Sequence, residues 1–195
     1  MAEITDFKVW WSGDSDWARD YTWRETTNMY KKYHIGSGYG ENGRYYKSWR
    51  SCIEVEIPSE VEIPSNVKIL KITLQSDSKY GAHIPNNERI AGGLSRTPPN
   101  RNQTGLPSDI STIDFLRDSN NNSIKGWKGS SGTGTLTLSL PKDNSSVEPG
   151  TTYYIYLYSA DSNGKEIIKS NWSYWMLWWV GQKSSITIEI TNEQT

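Results

Sequence analysis

The chain has 195 residues, a formal net charge of −1, ten Trp, twelve Tyr, one Cys and two His. This length is typical of one domain, and the balanced charge argues against nucleic acid as a partner, because phosphate binding needs clustered cations. The lone Cys and two His exclude a disulfide framework and a Cys/His zinc cage. The longest apolar run, residues 172–180, is about half of a membrane-spanning helix, so no membrane span is expected.

Alternating apolar and polar residues predict strands along most of the chain. In chain order these are residues 4–11, 45–57, 66–75, 112–117, 133–140, 151–159 and 185–191. Within 45–57 the odd positions are largely apolar and the even ones largely polar, which is typical of a half-buried strand. Asn163-Gly164 predicts a two-residue hairpin turn after 151–159, with a return strand from Lys165 through the Trp-rich segment.

Two regions lack a clear period. Residues 76–111 contain four Pro and four Gly, which predicts a long irregular excursion with short strands at most, of a length typical of functional or mobile loops. Residues 13–43 are rich in Trp and Tyr, which suits either an ordered arm or a set of short strands. We therefore expect residues 1–43 to pack on a β-sandwich of residues 44–195, as one globular unit.

The predicted fold is all-β, an antiparallel two-sheet β-sandwich of eight to ten strands. Residues 50–58 read RSCIEVEIP and residues 63–74 read IPSNVKILKITL. This pair of segments resembles a pattern, RSxIxFxIP followed by IPxNAxI and a further strand, of jelly-roll-like modules in bacteriophage minor structural and tail-appendage proteins. Residues 91–95 and 149–158 resemble later parts of such modules. The resemblance covers about residues 44–191 and departs from the pattern at Val55, where Phe is commoner.

The resemblance implies a virion component that is made in the host cytoplasm, assembles with other virion proteins and contacts the host surface. The acidic start of the chain is unlike a secretory signal peptide, which agrees with this expectation. An extracellular location is the alternative. A second hypothesis of a different class is a carbohydrate-binding module, and a weaker third is a glycoside hydrolase.

No catalytic constellation is evident. Neither His34 nor His83 lies in a nucleophile motif, and the Glu54 and Glu56 carboxylates alternate on the polar side of their strand, as expected of a solvated face. We therefore predict a protein that is not an enzyme. Residues 118–122 match only the first ligand positions of a calcium loop, because Ser123 replaces the required Gly. No cofactor is predicted, and structural calcium stays open by analogy with jelly-roll modules.

The aromatic clusters are the most informative feature. A strand through residues 172–180 would carry Trp on both faces, and a central strand covered on both sides explains this about as well as an exposed contact surface. If a face is exposed, subunit assembly into a homo-oligomer outweighs stacking on a host-surface glycan. The candidate contact residues are aromatic apart from one Asn: Trp17, Trp23, Tyr39, Trp127, Asn171, Trp172, Trp175 and Trp179.

Overall fold

A computed structural model describes residues 2–15, 21–26, 33–39, 45–59, 69–75, 82–83, 88–115, 135–140, 147–168, 175–180 and 186–191. The described part is all-β with two antiparallel sheets and no helix, so the predicted β-sandwich is confirmed. Its strands are β1 Ala2–Ile4, β2 Phe7–Ser15, β3 Tyr21–Thr26, β4 Tyr33–Tyr39, β5 Tyr45–Glu56, β6 Ile69–Gln75, β7 Ala82–His83, β8 Glu88–Ser95, β9 Ser111–Phe115, β10 Thr135–Leu140, β11 Thr152–Asp161, β12 Trp175–Val180 and β13 Ile186–Thr191.

Eight of these strands follow the jelly-roll order. The pairs β1–β13, β5–β11, β6–β10 and β8–β9 are antiparallel and nested in sequence, like one long hairpin. Rolling this hairpin up adds the β13–β6 and β11–β8 pairs and divides the strands between two sheets. The small sheet has the order β1-β13-β6-β10, and the large sheet contains β5-β11-β8-β9. Double-sheet jelly rolls are built in this way.

The large sheet also contains strands outside the jelly-roll order. β2 pairs with β5 along one edge, and β3 pairs with β2. The other edge of β5 is shared, because its first part pairs with β4 and its last part with β11. β12 pairs with β4 on one side and β7 on the other, so within the described residues the Trp-rich strand is hydrogen-bonded along both edges.

An aliphatic core fills the space between the sheets. Its side chains come from alternate positions of the paired strands and include Ile53, Val55, Ile72, Ile155 and Leu157, each fully buried. Alternation places these residues on one face of each strand because successive side chains point to opposite sides of a sheet. The odd-numbered face predicted to be apolar in 45–57 is thus the face that packs on the small sheet.

Three strand predictions need correction. The predicted strand 4–11 is two strands in different sheets, because the chain crosses the sandwich at residues 5–6 and buries Ile4 and Val9 from opposite sides. The irregular excursion 76–111 contains the eight-residue strand β8, in which Gly92 and Gly93 pair with β11 rather than break the strand.

The third correction concerns the turn after β11. Gly164 N–H donates to Asp161 O, and Asp161 N–H donates to Lys165 O, so the loop has three residues rather than two. Gly164 has φ +85°, a conformation that suits Gly. Beyond it, only an isolated bridge joins Ala160 to Glu166, and the Trp-rich β12 pairs elsewhere in the sheet.

Candidate functional site

The outer face of the large sheet, away from the small sheet, carries a second buried cluster. This outer cluster consists of Trp10, Trp23, Cys52 and Tyr156. Trp10, Cys52 and Tyr156 lie in one row across β2, β5 and β11, and the row ends at Gly93 of β8. The Trp23 and Tyr156 rings meet edge to face with centroids 5.4 Å apart, a favoured aromatic geometry.

A loop of residues 96–110, between β8 and β9, lies over this end of the outer face. A Cβ at Gly93 would overlap Ile110 Cγ2, so the close approach of the loop to β8 requires Gly at this position. Arg101 of the loop lies over the Trp10 ring, with its guanidinium carbon 4.9 Å from the ring centroid. The loop therefore packs on the aromatic row and buries it.

Hydrogen bonds from the outer cluster hold the loop backbone. Trp23 donates its backbone N–H to Gln103 O at 3.2 Å and its indole N–H to Gly105 O at 2.8 Å. The Tyr156 hydroxyl donates to Thr97 O at 2.7 Å. Each aromatic side chain thus combines an apolar body in the cluster with a polar end that satisfies a loop carbonyl.

Between the loop and the sheet is a cavity of about 330 Å³, called the loop cavity below. Trp23 and Tyr156 form its floor, and Pro98, Leu106 and Pro107 contribute apolar walls. The polar lining side chains, most of them exposed, are those of Thr97, Asn100, Gln103, Thr104, Ser108 and Asp109. This volume lies near the lower end of the range of about 300 to 1,000 Å³ for small-molecule sites.

Asp109 is the one carboxylate that lines the loop cavity among the described residues. Its Oδ1 accepts a hydrogen bond from the Ser95 hydroxyl at 2.8 Å, and its Oδ2 accepts one from the Arg96 N–H at 3.3 Å. Burial raises the pKa of Asp109, but hydrogen bonds from Ser95, Thr97 and Arg96 outweigh it and hold that pKa below the ordinary 3.8. The cavity therefore contains a fixed negative charge at neutral pH.

Cys52 and Tyr156 beneath the loop are both neutral at ordinary pH. Burial raises the pKa of the Cys52 thiol well above its usual value, and burial likewise raises the pKa of the Tyr156 hydroxyl. A thiol in such surroundings is inert, because only the thiolate is nucleophilic. In this structure Cys52 is a packing residue of the outer cluster.

A buried ion pair lies two residues away from Cys52 on the same face of β5. Arg50 Nε donates to Glu166 Oε2 at 2.6 Å, Arg50 Nη2 donates to Oε1 at 2.9 Å, and the Ser48 hydroxyl donates to Oε2 at 2.9 Å. The side chains of Arg50 and Glu166 are only 2% and 14% exposed. The pair ties the turn after β11 to the part of β5 where the sheet divides.

The structure places three predicted contact residues on strands of the large sheet besides Trp23: Tyr39 on β4, and Trp175 and Trp179 on β12, with side chains outside the described part. Trp23 is 2% exposed and forms part of the cavity floor. The other four candidates lie outside the described residues: Trp17, Trp127, Asn171 and Trp172. The possible calcium loop at residues 118–122 also lies outside them. Trp23, the one candidate whose side chain the structure describes, thus belongs to the loop cavity.

Within the described residues, no group of three or more His, Cys, Asp or Glu side chains could hold a metal ion. The same part of the chain contains no helix that is long and apolar enough to cross a membrane.

No family model matches the chain, and no curated protein or solved structure matches it either. The described part of the chain is a two-sheet jelly roll with a loop cavity on the outer face of its large sheet. The length of residues 76–111 predicted a functional or mobile loop, but the sequence analysis did not single out Asp109, Gln103 or Tyr156. Their common feature is that they line the loop cavity, which is formed by segments far apart in the sequence.

Proposed function

We propose that the chain is a non-enzymatic structural protein of a bacteriophage virion, a tail or capsid appendage made in the host cytoplasm. The observation that carries the proposal is the jelly-roll order. The two segments that resemble phage modules contain the end of β5 and nearly all of β6, which lie in opposite sheets. Jelly rolls are common in viral capsid proteins and in lectins, so the fold agrees with both assembly and adhesion.

Assembly with other virion proteins and with further copies of itself is the second part of the proposal. The sequence carries ten Trp and twelve Tyr, and aromatic side chains of this kind are enriched in protein–protein interfaces. Trp175 and Trp179 on β12 are the candidate subunit contacts. Burial of such side chains between copies would remove apolar surface from water.

Two measurements test this proposal. Mass spectrometry of purified phage particles whose genome encodes the protein should find it at many copies per particle. Its absence from the particles would refute the virion role. Light scattering of the purified protein, with and without calcium, should give a defined homo-oligomer. A monomer at high micromolar concentration would refute self-assembly.

Variants separate a subunit contact from a core role. Trp175→Ser and Trp179→Ser should lower the oligomeric mass while the far-ultraviolet circular dichroism stays that of a β protein. Ile168→Ser is the matched control, because it removes an exposed apolar side chain outside the candidate set. Loss of folded structure in both Trp variants, with an unchanged mass in the remaining folded protein, would assign these residues to the core.

A second candidate, the carbohydrate-binding module, is favoured by the loop cavity. Polar side chains that converge over apolar walls are typical of small-molecule sites. The cavity favours binding over hydrolysis, because glycoside hydrolysis by the standard mechanisms uses two carboxylates and only Asp109 lines it among the described residues.

A further inference from the structure

We infer that the loop cavity binds one ring of a neutral, polyhydroxylated ligand, that is, a sugar unit of a glycan. This inference rests on the second candidate function above and does not require a place in a virion. It also differs from sugar stacking on exposed Trp rings, because the residues that carry it are the polar side chains of the 96–110 loop.

The cavity is not a by-product of the jelly roll. β3 lies outside the eight-strand order, yet it supplies Trp23, which forms the floor and holds the loop through two hydrogen bonds. β8 contributes Gly93, whose missing side chain leaves room for Ile110 of the loop. An added strand, a long loop and a Gly that the loop needs thus combine to build one open cavity.

The loop is held in place before any ligand arrives. Its carbonyls at Thr97, Gln103 and Gly105 accept hydrogen bonds from Trp23 and Tyr156. Within the loop, Asn102 N–H donates to Asn100 Oδ1 at 2.9 Å, and Gln103 N–H donates to Asn100 O at 3.2 Å. A loop ordered in this way loses little conformational freedom on binding, which favours affinity for a small ligand.

The lining side chains match hydroxyl groups. Gln103 and Asn100 carry amides that both donate and accept, Ser108 and Thr104 carry hydroxyls, and Asp109 accepts only. A sugar presents neighbouring hydroxyls that donate and accept in turn, so it can satisfy such a mixed set. Pro98, Leu106 and Pro107 offer the apolar walls that the C–H faces of a sugar ring require.

Other ligand classes fit less well. The ionised Asp109 repels phosphate and carboxylate groups, since like charges are disfavoured at short range. A quaternary ammonium ligand needs open aromatic faces, but Trp23 is 2% exposed and Tyr156 is fully buried. A neutral ligand recognised by hydrogen bonds fits this lining better, and the cavity of about 330 Å³ has room for a small group such as one ring.

The test measures binding of a panel of neutral sugars, namely glucose, galactose, mannose, rhamnose and N-acetylglucosamine, and of polysaccharides that contain them. Isothermal titration calorimetry on the full chain, with sugars up to about 10 mM, detects millimolar dissociation constants. We expect at least one member of the panel to bind. Failure of every member to bind would overturn the inference together with the carbohydrate-binding candidate, whereas the virion proposal would stand.

Variants locate the site. Gln103 holds the loop through its backbone N–H and carbonyl groups, so Gln103→Ala should keep the fold and weaken binding roughly three- to tenfold, as should Ser108→Ala. The matched control is Asp161→Asn. Asp161 is a polar residue at the end of β11 whose Oδ1 accepts hydrogen bonds from the backbone N–H groups of Asn163 and Lys165, and it does not line the cavity. Binding that survives both cavity variants and is lost in Trp127→Ala would overturn the assignment to the loop cavity and leave carbohydrate binding in place.

Discussion

Where the 96–110 loop covers the large sheet, both faces of the sheet are buried but differ in chemistry. On β11, Ile155 and Leu157 point into the aliphatic core between the sheets, whereas Tyr156 between them belongs to the outer cluster under the 96–110 loop. On β5 the same alternation separates Ile53 from Cys52. The inner side chains named here are aliphatic, while the outer side chains place a hydroxyl, a thiol or an indole N–H under the loop.

This difference indicates that alternate residues of the same strand have two different structural roles. The inner face holds the two sheets together by removing aliphatic surface from water. The hydrophobic effect is non-directional, so it does not require particular contact angles. The outer face positions a loop without regular secondary structure, and this needs hydrogen bonds at defined points. Mutations on the two faces should therefore have different consequences, and the following predictions run from the largest expected effect to the smallest.

Glu166→Ala should cause the largest loss, about 3 to 5 kcal/mol of the free energy of unfolding, because it removes the carboxylate that accepts hydrogen bonds from Nε and Nη2 of the buried Arg50. Urea denaturation measures the change. The control is Lys8→Ala, because the Lys8–Glu54 pair has side chains 57% and 21% exposed and should contribute less than about 1 kcal/mol. Equal losses in the two variants would contradict the importance of the buried pair.

Leu157→Ala should cost about 2 to 5 kcal/mol, because it removes a fully buried side chain from the inner core and leaves a cavity. Chemical denaturation gives this loss, and binding of a sugar to the folded fraction should be unchanged. Ile168→Ala, at a position 54% exposed, should change stability by less than about 0.5 kcal/mol. Selective loss of binding in Leu157→Ala would break the proposed separation of the two faces.

Gly93→Ala should cost about 1 to 3 kcal/mol, because the new methyl group overlaps Ile110 and displaces the loop. It should also weaken sugar binding. The double variant Gly93→Ala/Ile110→Ala should be more stable than the sum of the single changes predicts, since removing the Ile110 branch relieves the overlap. If the two changes in the free energy of unfolding simply add, Ile110 of the loop does not pack against Gly93 of β8.

Tyr158→Phe should cost about 1 kcal/mol at neutral pH through loss of the hydrogen bond from its hydroxyl to Gly164 O. Burial, followed by the charges of Glu166 and Asp161, raises the pKa of Tyr158 from 10.0 to about 12. The stability from its neutral form is therefore present below pH 10.0 and lost as the pH rises to about 12. Urea denaturation across this range should show a shallower decline in Tyr158→Phe than in the wild type, and equal slopes would contradict the assignment.

Strands with a clear alternation were predictable. The segments 45–57, 66–75, 133–140, 151–159 and 185–191 correspond to β5, β6, β10, β11 and β13, with ends that differ by a few residues. Apolar side chains that the structure describes on these strands are buried in the core: Ile53, Leu70, Leu140, Ile155 and Ile190. The local pattern of apolar residues therefore reflects the packing that forms these strands. β9 at Ser111–Phe115 likewise confirms the prediction of a strand there rather than a helix.

Strands that depend on a partner elsewhere in the chain were not predictable in the same way. β8 contains Gly92 and Gly93, which locally indicate a loop, and the pairing with β11 together with the approach of Ile110 makes glycine suitable. The division of 4–11 into β1 and β2 depends on which sheet each half joins. Local propensity carries no information about such partners.

The sequence by itself determined the all-β class and the core-facing side of its clearest strands, because side-chain alternation repeats every two residues wherever a sheet is formed. Only the tertiary structure decided that the 96–110 loop buries part of the outer face and that a cavity forms there. The bonds that build it join Trp23 to Gly105 and Tyr156 to Thr97, pairs 82 and 59 residues apart. Contacts across such distances arise from the rolled-up strand order, which no local periodicity encodes.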